Sequence, residues 1–130
     1  MDEIVLPSAP PADILRMLDF YRAHREAAEP LLPEPVTPAV SAAATEIWER
    51  VSVQAHTALE AGTPEVAARI PKTPEIAAAL KWRVDSEELF DEIMIGGHMV
   101  SAWQGDWERD YALFKYFMHV AAEQASADTN

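Results

Sequence analysis

Three threonine-proline pairs punctuate this chain, in TPAVSAA at 37–43, TPEVAAR at 63–69 and TPEIAAA at 73–79. Threonine at a helix N-cap lends its hydroxyl to an orphan backbone N–H, and proline in the first turn gives up only a hydrogen that the helix leaves unused. The acid that follows in the second and third copies favours the positive end of the helix dipole. Each copy is therefore expected to start a helix. Pro71 lies between the second copy and the third, so the second should open only a short helical turn before a fresh helix begins. The copies are too short to be stacking repeats and share only a helix-start grammar.

The same punctuation divides the rest of the chain into helices. A first helix is expected from Pro11 or Ala12 to Glu29, ended by Pro30, with PLLPEPVTP (30–38) as a stiff connector. The second runs from about Pro38 to Ala61 and stops at Gly62, a residue suited to the left-handed closing position. S-E-E-L from Ser86 is another start, with apolar spacing through Leu89, Phe90, Ile93, Val100 and Trp103 across the interruption at Gly96 and Gly97. The last helix begins near Asp106 and carries Trp107, Tyr111, Phe114, Met118, Ala121 and Ala125 on one face. No strand pattern competes. The expected fold is all-α: an irregular bundle of about four long helices plus one or two short ones, forming one domain over 11–123 between flexible ends at 1–10 and 124–130.

Composition fits one packed core, with 49% hydrophobic and 25% charged residues in 130. No apolar run is long enough to span a bilayer, and MDEIVLPSAPP lacks the basic and apolar regions of a secretory signal, so the expected location is the cytoplasm. Absence of cysteine removes disulfides, zinc-thiolate centres and thiol nucleophiles. The net charge of −12 opposes ordinary binding to nucleic acid or anionic lipid, because Arg16, Arg22 and Arg25, the densest cations, are interleaved with Asp19, Glu26 and Glu29. The phosphate-loop, dinucleotide, hydrolase-elbow and HExxH motifs are missing, and no histidine follows a glutamate by three residues, which argues against a di-metal bundle. Neither a metal nor a cofactor is expected.

Projection at 100° per residue places His56, His98 and His119 on solvent faces and His24 beside Met17 and Phe20 on the flank of an apolar face. Arg50, Glu92 and Asp110 fall on apolar flanks as well. Charges that are half-buried are costly unless paired, so these groups are expected either to form interhelical salt bridges, Arg50 answering Glu92 or Asp110, or to line one pocket with His24. The stretch IGGHMVSAWQGDWERDY (95–111) holds three of the four glycines and two of the four tryptophans. Gly96, on the face of Ile93 and Val100, reads as a site of close helix packing, followed by a tight turn at Gln104 and Gly105, while Gly96 and Gly97 also border the pocket of the other reading. The other reading makes Trp103 and Trp107 an apolar wall for a ligand or an anchor for a partner, which Trp48 and Trp82 could extend.

These features point first to a non-catalytic acidic interaction module, an adaptor, inhibitor or antitoxin-like protein, whose partner is a more basic protein. The alternative is a small-molecule-binding bundle, with or without catalysis, whose pocket lies near Trp103 and Trp107. A lesser alternative is a mimic of nucleic acid. The alanine-rich helix faces lead to the expectation of a homodimer.

Overall fold

The computed structural model describes residues 3–95 and 107–127. The elements run β1 (Glu3–Val5), α1 (Pro11–Ala28), a short 3-10 turn (Glu29–Leu31), α2 (Pro38–Glu60), β2 (Arg69–Pro71), α3 (Pro74–Asp85), α4 (Glu87–Ile95) and α5 (Trp107–Ser126). The fold is all-α apart from one two-stranded ribbon. Helix α1 packs on α2 and α5, and α3 packs on the same two, so the four long helices close a ring around a shared core; α4 lies against α1 and α3. Phe20, Phe114, Phe117, Ile14, Met17, Leu18 and Ile47 fill that core and are fully buried. Among the described residues, no helix is long and apolar enough to cross a membrane.

Two of the three threonine-proline pairs start helices by the expected chemistry. Thr37 Oγ1 accepts from Val40 N at 3.2 Å and Thr73 Oγ1 accepts from Ile76 N at 3.1 Å. The middle copy does not. Gly62 sits at φ 70°, Gly62 N donates to Leu59 O at 3.1 Å, and Thr63 N donates to Ala58 O at 2.9 Å. This is the paired closure that seals a helix C-terminus. The Thr63 amide is thereby committed to ending α2, and the chain leaves it extended towards β2 instead of turning into a new helix.

The N-terminal segment also differs from the expected flexible arm. β1 pairs antiparallel with β2, Ile4 opposite Ile70, and the pairing continues through Leu6 N to Ala68 O and an isolated bridge between Ala9 and Val66. Ile4, Leu6 and Ile70 are buried in the main core. Strands of three residues are too short to show a period-two pattern, which is why the sequence hides them.

Both outer edges of the ribbon are closed by glutamine side chains. Gln124 of α5 accepts from Val5 N at 2.8 Å and donates to Val5 O at 2.6 Å. Gln54 of α2 accepts from Arg69 N at 2.8 Å and donates to Arg69 O at 2.7 Å. Val5 and Arg69 face each other in register. A primary amide carries the same donor and acceptor as a peptide group, so each glutamine stands where another strand would pair.

Candidate functional site

The sequence-nominated polar residues do not converge. Arg50 is exposed and pairs along its own helix with Glu46 at 3.0 Å, which corrects the expectation that it answers Glu92 or Asp110. Glu92 is exposed on α4. Asp110 is buried, but its carboxylate receives Arg16 Nε of α1 at 3.1 Å. Trp107 is half-buried and packs against the core. Gly96, Gly97, Trp103 and His98 lie outside the described residues, as does the expected Gln104–Gly105 turn. Of the remaining histidines, His56 is exposed, and His119 is exposed and donates from Nε2 to Glu87 at 2.8 Å, joining α5 to α4.

His24 is more deeply set than a flank position implies. It is 1% exposed and stacked on Phe20, with Phe90 and Tyr111 edge-on to its ring, both centroids at 5.4 Å. Arg83 of α3 approaches it, Nη2 lying 3.5 Å from His24 Nε2. The Arg83 guanidinium lies 3.9 Å over the Phe90 ring and is 7% exposed. Burial, and secondarily the Arg83 charge, push the His24 pKa down to about 3, so the ring is neutral at pH 7. Arginine can only donate, so Nε2 accepts and the ring hydrogen sits on Nδ1.

Beside this pair, Asp91 of α4 accepts a short hydrogen bond from the Tyr111 hydroxyl and lies 3.4 Å from Lys115 Nζ. Burial, and then the bond to Asp91, raise the Tyr111 pKa above its ordinary value. A cavity of about 30 Å³ adjoins His24 and Arg83, walled by Ile47, Trp48, Phe90 and Phe114 and leading towards Val36 and Val40.

Arg83 is the residue that the projection of charges missed. Its position was legible: Ile76, Ala79, Leu80 and Arg83 are the buried residues of α3, spaced i, i+3, i+4, i+7.

A second concavity opens at the surface between α3 and α5. It measures about 530 Å³, is floored by Ala77, Ala78, Ala122 and Ala125 with Val84, and is edged by Lys81, Asp85, His119 and Glu123. Lys81 is neutralised by Asp85 at 2.7 Å, and Glu87 stands behind His119, so the rim is acidic on balance. Among the described residues, no group of three or more histidine and carboxylate side chains is placed to hold a metal ion. Comparison with known proteins finds no matching family model, curated protein or solved structure.

Proposed function

We propose that this chain is an acidic helical interaction module that receives an amphipathic helix of a basic partner protein in the groove between α3 and α5. The observation that carries this reading is the groove itself: an open apolar channel between two helices, floored by alanines that let another backbone come close. Glu123 on its rim fits a lysine or arginine flanking the apolar face of the incoming helix, and the excess of 22 acids over 10 basic residues extends that complementarity and speeds encounter.

The test places a photo-crosslinking amino acid at Ala78, in the groove, and at Val53, an exposed position on α2. Support requires three results together: a product from position 78 and not 53, a crosslinked peptide with apolar residues at helical spacing and basic flanks, and binding of that synthetic peptide that Ala122→Arg abolishes. Absence of a product specific to position 78 overturns the proposal. A product consisting of two copies of this chain also overturns it and assigns the groove to self-association.

A further inference from the structure

Two buried donors in the core have nothing to donate to among the described residues: His24 Nδ1 and Arg83 Nη1. They belong to neighbouring residues that both line the 30 Å³ cavity. An unpaired buried N–H is costly, and a buried guanidinium without a counter-charge more so: among the described residues no carboxylate lies in salt-bridge range of Arg83, and Asp91 is engaged by Tyr111 and Lys115. The space exceeds the roughly 10–15 Å³ that one water needs, so it admits a few non-hydrogen atoms. Most of the remaining lining is apolar, Ile47, Trp48, Phe90, Phe114 and Met118 among it; the other polar residues on it are Tyr21 and the pair Arg25 and Glu29, which are bonded to each other at 2.7 Å.

We infer that this cavity is a binding site for a short-chain monocarboxylate, whose carboxylate accepts from Arg83 and from His24 Nδ1 while its alkyl end lies against the aromatic and aliphatic wall towards Val40. The ligand is acceptor-only where His24 Nδ1 and Arg83 Nη1 offer donors, and it supplies a negative charge to Arg83. Bridging waters would satisfy the hydrogen bonds but not the charge. A divalent oxyanion fits poorly, since Arg25 is already paired with Glu29 and only Arg83 is left to meet two negative charges. The net charge of −12 is spread over the surface and is screened beyond about 10 Å at 0.1 M salt, whereas Arg83 acts at contact.

The site is independent of the groove between α3 and α5, and its test is separate. Full-length protein labelled with nitrogen-15 is titrated with sodium acetate and sodium propionate at pH 7 and constant ionic strength, with sodium chloride and neutral acetamide as controls, following the Arg83 side-chain and His24 ring resonances. The expected result is a saturable shift with both carboxylates, tighter for propionate, and none with acetamide. Arg83→Met, which keeps the stem and removes the charge, weakens binding by more than about tenfold, the loss of a charge-assisted hydrogen bond. The same shifts with chloride, or no saturable shift of Arg83 in the wild-type protein, overturn the proposal whether or not the variant folds. Retained binding in Arg83→Met overturns it as well.

Discussion

Replacing Ile4 by alanine separates a docked strand from a free arm. Ile4 is fully buried against Ile70 and the core. The substitution removes three carbons, worth about 0.8 kcal/mol each in transfer. A cavity term then brings the loss to about 3 kcal/mol, inside the roughly 2–5 kcal/mol range of such truncations. For 130 residues the unfolding entropy near the midpoint is about 0.27 kcal/mol/K, so Tm falls by about 11 °C. Thermal unfolding followed by circular dichroism reads this directly, with Ser8→Ala as a control. Ser8 is an exposed residue of the same segment whose hydroxyl bonds only the exposed Glu65 carboxylate, and its loss should stay within about 0.5 kcal/mol. If Ile4→Ala lowers Tm by less than about 2 °C, or no more than Ser8→Ala does, then β1 does not share the core and the ribbon is not part of the folded unit.

Further expectations concern pH, caps and clasps. Because the His24 pKa is about 3 in the folded state against about 6.5 unfolded, its neutral burial is fully compatible with folding above pH 6.5. The unfolded state then gains the proton as pH falls towards 3. The resulting slope is about 1.4 kcal/mol per pH unit in that window, and urea midpoints at pH 7 and pH 5 should show it in the wild-type protein and lack it in His24→Gln. Thr73→Ala should cost about 1 kcal/mol through loss of the α3 cap, measured by the same midpoints; no change would mean that Ile76 N finds another acceptor. Gln124→Ala removes both side-chain bonds to Val5 and should cost about 1–3 kcal/mol, with faster hydrogen exchange at the Val5 amide than at Ile70. Tyr111→Phe removes the donor to Asp91 and should cost about 1–2 kcal/mol by the same urea midpoints.

The helical part of this architecture is written locally. Pro11, Thr37 and Thr73 mark starts and Gly62 marks an end, each by chemistry within one turn of itself, so α1, α2 and α3 are readable residue by residue. The ribbon is not, because β1 and β2 are separated by more than sixty residues and each is stabilised by partners the local pattern cannot name: Ile4 by Ile70, Val5 by Gln124. The polar core shows the same division. Helical projection locates a charge on a face but does not say which helix will meet it, so Arg50 was matched to the wrong acids. It found His24 because the neighbours of that residue on α1 are apolar, and it overlooked Arg83, where the charge itself sits in the middle of the stripe.

The two glutamine clasps limit what can pair with the ribbon. A two-stranded ribbon ordinarily offers two rows of free backbone groups to any passing strand, and recruitment along such a row is how sheets grow across molecules. Here the side-chain amides of Gln54 and Gln124 occupy the outward backbone groups of Arg69 and Val5, so an incoming strand must first displace a bond pair already made within the chain. Strand addition is blocked at these two positions. The ribbon itself is finite: its width is set at two by side chains borrowed from helices on either side.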